Sequence, residues 1–161
     1  MKNKKVIKEK LLKQLEEWMD WLEIPNENFG GYPVCPFLAP ERKQNKLLIE
    51  FYDPEEGLSL FELIRKFDQD DRFTTAMYLH MVYSNNYTVV DYQKFINEGL
   101  KEIGLGHLKA VCFNPHDERK TNGIMTRKNA PCFITSIATR KALGDAYRKL
   151  EHTKYWKKNQ K

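Results

Sequence analysis

Cys35 stands in Gly30-Gly31-Tyr32-Pro33-Val34-Cys35-Pro36-Phe37, a stretch stiffened by its prolines. A cysteine there becomes a nucleophile where nearby positive charge holds its sulfur as thiolate. His116 lies in Asn114-Pro115-His116-Asp117, where an apolar run gives way to a polar turn. A histidine at such a turn can act as a general base. Arg127 and Lys128 come shortly before Pro131-Cys132. A guanidinium beside the backbone N–H groups of a helix start can hold a carboxylate or phosphate. A helix starting near Cys132 would also lower that thiol's pKa. Cys35 and His116 are thus the candidate catalytic residues, with Asn114 and Arg127 as candidate ligand-binding residues.

Each has a plainer alternative. His80 lies inside an apolar run, where a hydrogen-bonded core histidine is the ordinary occupant, and Cys112 reads as a small buried hydrophobe. The turn after Phe113 is also what a solvated loop looks like. No Cys-x-x-Cys or tight Cys/His spacing supports a zinc site, so no metal is assigned. The chain has no Walker A, G-x-G-x-x-G, G-x-S-x-G or H-E-x-x-H motif, and the residues name no cofactor.

The elements that must position these groups follow from periodicity. Ile7, Leu11, Leu15, Trp18 and Leu22 recur at helical spacing, giving a first helix from about Lys4 to Leu22 that ends before Pro25. Its polar face is basic, then acidic, which suits docking on the body better than lying on a membrane. A Pro-, Gly- and Asn-rich loop follows, laden with aromatic residues. Leu47–Tyr52 reads as a strand, Ser59 and Glu62 as a capping box before a helix, and Phe73–Tyr83 as a second strand. Thr88 caps a helix stopped by Gly104 and Gly106. Leu108–Phe113 is a third strand, 114–130 a polar loop, Cys132–Ile137 a short apolar helical turn, and Thr139 the cap of a last helix. The expected fold is a single α/β domain of two or three layers. Its sheet is small and mostly parallel, of about three or four strands with helices packed on it. A ferredoxin-like split βαβ arrangement with antiparallel pairs is the alternative. In an open sheet of this kind, ligands bind beyond the carboxyl ends of the strands, which here are Tyr52-Asp53, His80 to Tyr83 and Asn114 to Asp117.

Charge divides the chain unevenly. The 161 residues carry a net +5, while residues 1–13 hold six Lys and one Glu. Residues 148–161 hold one Arg, five Lys and one Glu, so each end contributes +5 and the 14–147 body carries 5 − 10 = −5. This describes lysine-rich arms on an acidic core of about residues 14–150. A nucleic-acid partner would have to engage the arms, with Tyr155 and Trp156 as stacking groups. The acidic body argues against that partner. Three widely spaced cysteines do not suit a secreted disulfide framework, and no run approaches the roughly 18 apolar residues of a membrane span. The expectation is a cytoplasmic protein without a membrane partner. High Lys, Asn and Ile usage suits an AT-rich bacterial or phage genome.

Three segments taken in order resemble a known family. A Trp-containing helix precedes Cys35-Pro36-Phe37, Phe73-Thr74-Thr75 opens a strand reaching His80, and Phe113-Asn114-Pro115 leads through a polar loop to Thr126-Arg127 and Pro131. Across roughly residues 18–146 this is similar to the bacterial family called domain of unknown function 1415. The resemblance implies an α/β fold and a shared site lined by Cys35, His80, Asn114, His116 and Arg127. The family's Phe-His-Pro histidine falls on Asn114, with His116 two residues on, and its later histidine falls on Ile134. The family carries no assigned activity to transfer. The leading expectation is a small anionic molecule bound, or converted, between the Cys35 loop, the Asn114–Asp117 turn and Arg127. The alternatives are a nucleic-acid accessory role for the arms and a partner-binding module without chemistry.

Overall fold

The computed structural model describes residues 2–82 and 88–156. Tyr83 and the lysines at 157, 158 and 161 lie outside the described residues. Helix α1 (Lys2–Leu22) opens the chain and is followed by a 3-10 turn (Glu27–Phe29) and a short α2 (Leu38–Lys43). Then come β1 (Leu47–Tyr52), α3 (Leu60–Asp68), β2 (Thr75–His80), α4 (Val89–Glu102) and β3 (Leu108–Phe113). The chain ends with β4 (Ile134–Thr139) and α5 (Arg140–Leu150).

The caps sit where residue type requires them. The hydroxyls of Ser59, Thr88 and Thr139 accept from the backbone N–H groups of Glu62, Asp91 and Ala142, satisfying donors that a helix start leaves free. Gly104 ends α4 at φ +81°, a conformation costly for any residue with a Cβ.

The four strands lie in the order β1-β2-β4-β3. β1 and β2 are parallel, but β4 runs antiparallel to both β2 and β3. The α/β class is as expected, while the sheet is only partly parallel. β2, α4 and β3 form a βαβ unit split by β4, which was the alternative arrangement. The source of the difference is the segment Ile134–Thr139, expected as a helical turn after Cys132. A short apolar run cannot be assigned by periodicity alone. Here Ile134, Thr135, Ile137 and Thr139 supply β-branched side chains suited to a central strand, and four of the six residues are buried.

Alternation along the strands builds two cores. Met77, Leu79 and Ile134 face α1, meeting Leu15, Trp18, Met19 and Leu22, with Leu47, Ile49, Phe51 and Phe113 alongside. Ala76, Tyr78, Ala110 and Ile137 face α3 and α4, meeting Ile64, Phe67, Ile96 and Leu100. Helices thus cover both faces. The early half of α1 is held differently. Ile7 is exposed rather than inward. Lys4 Nζ lies 2.9 Å from the Asp53 carboxylate and 3.0 Å from that of Glu56, and the Lys8 ammonium sits 5.4 Å from the Phe51 ring centre. The amino-terminal lysines therefore belong to a docked helix rather than to a separate arm.

The loops are fixed by side chains. Trp18 Nε1 donates to the Thr126 carbonyl at 3.1 Å, and the ring packs edge-on to Phe113. Tyr155 is buried beside Phe29, and its hydroxyl donates to the Val34 carbonyl. Its own carbonyl accepts from Asn122 Nδ2 at 2.6 Å, while the Asn122 carbonyl accepts from Asn28 Nδ2 at 3.1 Å. A Cβ on Gly30 would lie 2.3 Å from the Lys154 carbonyl oxygen, so only glycine allows this approach. Tyr155→Phe leaves the buried Val34 carbonyl without its partner. The variant is expected to fold and to be about 1–2 kcal/mol less stable in urea unfolding. An unchanged midpoint would show that this hydrogen bond does not support the loop.

Candidate functional site

The carboxyl ends of β1, β2 and β3 lie at one end of the sheet, because these strands share a direction and β4 opposes them. The turn after β3 begins with two local hydrogen bonds. Asn114 Oδ1 accepts from the His116 N–H at 3.0 Å, and the Asn114 carbonyl accepts from the Asp117 N–H at 2.9 Å. Asn114 is therefore a turn-forming residue, as its short amide favours. His116 projects outward and is exposed, whereas Asp117 turns inward, its side chain only 6% exposed. The two neighbours diverge, and Asp117 does not orient the imidazole.

Two arginines converge on Asp117. Arg119 Nε lies 3.0 Å from each carboxylate oxygen, and its Nη2 lies 2.7 Å from Oδ2. Arg127 approaches from the far end of the loop, its Nε 3.6 Å from Oδ2. That is close enough for charge attraction and too long for a hydrogen bond. Arg127 Nε is buried and has no hydrogen-bond partner among the described residues. The Arg119 bond holds the Asp117 carboxyl below its ordinary value. Burial pulls the Arg127 pKa down, and the Asp117 charge opposes that pull. Asp117, expected only as the last residue of the turn, and Arg119, expected only as part of the polar loop, are participants whose roles residue type did not indicate. The visible signal was their spacing of two within a turn, which brings a carboxylate and a guanidinium together.

Beside this cluster lies a shallow cleft of about 370 Å³. Val89 and Val90, at the start of α4, line it with Asn114, His116, Asp117, Glu118 and Arg119, while Arg127 lies outside the lining. Val89 also packs with Cys112 and Phe133, and Phe133 stands edge-on to His80 with ring centres 4.9 Å apart. Val89 and Phe133 thus stand between the cleft and His80. His80 is 4% exposed, and its Nε2 shares a 2.8 Å hydrogen bond with Thr135 Oγ1. Cys112 Sγ lies 3.7 Å from the same hydroxyl. Tyr52 and Tyr92 complete an aromatic cage around the imidazole. Burial lowers the His80 pKa from 6.5 to about 4 and raises that of Cys112 to about 12. His80 is a neutral core histidine, buried away from the cleft.

The other two cysteines stand apart from the arginine pair. The Cys35 N–H donates to the Leu22 carbonyl at the end of α1. Its sulfur lies among core side chains, with Glu23 and Glu41 as its charged neighbours. Burial chiefly, and those carboxylates further, push its pKa up, so Cys35 is held as a thiol rather than a thiolate. Cys132 precedes a strand instead of a helix, so no helix dipole acts on it, and burial pushes it up to about 11. The structure brings Asn114, His116 and Arg127 to one end of the sheet around Asp117. Cys35 and His80 occupy separate surroundings.

Among the described residues, no group of three or more His, Cys, Asp or Glu side chains is placed to hold a metal ion. No described helix is long and apolar enough to cross a membrane. Tyr155, considered above for base stacking, is buried. Trp156 is half-buried and stacks on Tyr147 at 6.3 Å between ring centres. Compared with known proteins, the chain matches no family model, no curated protein and no solved structure.

The buried imidazole has a measurable consequence. Its pKa is about 4 when folded against 6.5 when exposed, so between those values the unfolded chain binds the extra proton. Its contribution to stability is fully present above about pH 6.5 and falls as the pH drops toward 4, by roughly 3 kcal/mol in all. Urea unfolding across this range should show the slope in the wild-type chain and a shallower slope in His80→Gln. Parallel slopes would place the titration elsewhere.

Proposed function

We propose that the chain binds a small anionic molecule at the turn following β3. Arg127 is the principal anchor, Arg119 the second cation, and Asn114 and His116 form the rim. The observation that carries this reading is the buried Arg127 Nε, without a hydrogen-bond partner among the described residues, beside a carboxylate already engaged by Arg119. A buried N–H without an acceptor costs about 1–3 kcal/mol, and a carboxylate or phosphate oxygen would recover that cost. Arg119 and Arg127 are matched in charge by Asp117 and Glu118, so the attraction for an anion rests on the Arg127 N–H rather than on net charge. Asp117 holds the Arg119 fork in place before any ligand arrives.

The Cys35 loop enters as support. Asn28, earlier in that loop, donates to the Asn122 carbonyl and steadies the segment that carries Arg127. Neither Cys35 nor His116 is given a covalent or proton-transfer step. The motif order similar to domain of unknown function 1415 is a further support for a site at this end of the sheet, and it adds no activity.

Thermal unfolding with phosphate, citrate and a nucleoside monophosphate, each against chloride at equal ionic strength, tests the reading. An anion that binds the folded chain at 100 times its Kd stabilises it by about 2.7 kcal/mol. The expected result is a stabilising shift in the wild-type chain and in Cys35→Ala. That shift should be absent in Arg127→Ala and reduced in Arg127→Lys, which keeps charge but loses the planar fork. A shift that survives Arg127→Ala, or no shift with any anion, overturns it.

A further inference from the structure

The two edges of the sheet are treated differently. On β3, the Ala110 N–H and C=O groups and the Cys112 N–H are occupied by amide side chains of α4. Asn97 Oδ1 accepts from the Ala110 N–H at 2.8 Å, and Asn97 Nδ2 donates to the Ala110 carbonyl at 3.1 Å. Gln93 Oε1 accepts from the Cys112 N–H at 2.9 Å. On β1 the inward groups are identified by the Lys46 carbonyl, which accepts from Thr74, and the Tyr52 carbonyl, which accepts from Met81. Alternation then points the backbone N–H and C=O groups of Leu47, Ile49 and Phe51 away from β2. Among the described residues β1 pairs with β2 alone, and nothing caps this outer row.

An open edge is a template for another strand. We propose that the occupant is β1 of a second copy, paired antiparallel about a two-fold axis at Ile49. The register is self-consistent. Ile49 meets Ile49, and Leu47 meets Phe51 on both sides, so every outward-facing residue meets another outward-facing residue. Each of these three pairs exchanges two hydrogen bonds. The side chains on that face are all apolar, and every β1 residue is half-buried before pairing.

On the opposite face, Lys46 lies across from Tyr52 and diagonally beside the Glu50 of the other copy. Leu48 lies across from Glu50, so the two glutamates do not meet directly. Each Glu50 has the other Glu50 on one diagonal and a Lys46 on the other, so the like charges are offset. Closure by a two-fold limits the assembly to a dimer, because the remaining edge on each copy is the one covered by Asn97 and Gln93. The result is a continuous eight-stranded sheet, twice the 4-stranded sheet of one chain.

Sedimentation equilibrium over a concentration series, with amide exchange followed by NMR, tests this on the full chain. A reversible dimer is expected. The Leu47, Ile49 and Phe51 amides should exchange more slowly as concentration rises, while Leu48 and Glu50, bonded to β2, stay protected throughout. Glu50→Lys sets four lysines near one another on that face and should weaken association several-fold. Ile49→Pro removes an outward donor without touching the β2 ladder and should be monomeric. A chain that stays monomeric throughout the series overturns the proposal. A dimer in which the Ile49 and Phe51 amides exchange freely overturns it as well, and that reading does not depend on either variant folding.

Discussion

The hydrogen bond from Asn122 Nδ2 to the Tyr155 carbonyl joins two segments outside helix and sheet, and each of them is tied in turn to a third. Through Tyr155 it reaches the Pro- and Gly-rich loop at Val34 and Phe29. The Asn122 carbonyl reaches the same loop at Asn28. Long loops have backbone groups that neither helix nor sheet can satisfy, and burying them requires partners of this kind. Asn122 is 1% exposed and sits at φ +50°, in the left-handed region that asparagine tolerates better than most residues. The position of Arg127, five residues on, depends on this anchoring. So does the seating of α1, whose Trp18 grips the same loop at Thr126.

Much of the fold is legible from residue patterns, and particular positions show why. The caps at Ser59, Thr88 and Thr139 follow from hydroxyls placed just before apolar periodicity, a local rule with a local cause. Strands β1 and β3 follow from short apolar runs bounded by breakers. Ile134–Thr139 misleads because a six-residue apolar run fits a helical turn as well as a strand. The decision is made by neighbours distant in the chain, Thr75 to Leu79 on one side and Leu108 to Phe113 on the other. With that segment misplaced, the antiparallel pairings are also lost to view.

The candidate site divides the same way. Asn114, His116 and Arg127 share one end of the sheet because the strands preceding the turn fix it there. His80 and Cys35 were singled out by residue type, yet their chemistry is set by burial, which pairing and packing determine. Solvation decides against ionisation in both cases, keeping the imidazole neutral and the thiol protonated. Asp117 illustrates the converse. An acidic residue in a polar loop looks solvated, but here it is the centre on which two cations depend. The net charge also changes meaning. The amino-terminal lysines cover part of the sheet as a helix, with Lys4 committed to Asp53 and Glu56.

Along β3, a helix does the work of a missing strand. Asn97 presents an amide to Ala110 in the same donor-and-acceptor order that a backbone peptide would. The imitation needs both atoms of a primary amide, at one reach from the helix axis. Aspartate keeps only the acceptor, and glutamine displaces the group by a methylene. A half-exposed position on the outside of the molecule is thereby held to a single side chain as strictly as a core position is held to a volume. Surface accessibility is consequently a poor guide to substitutional freedom on this face of α4.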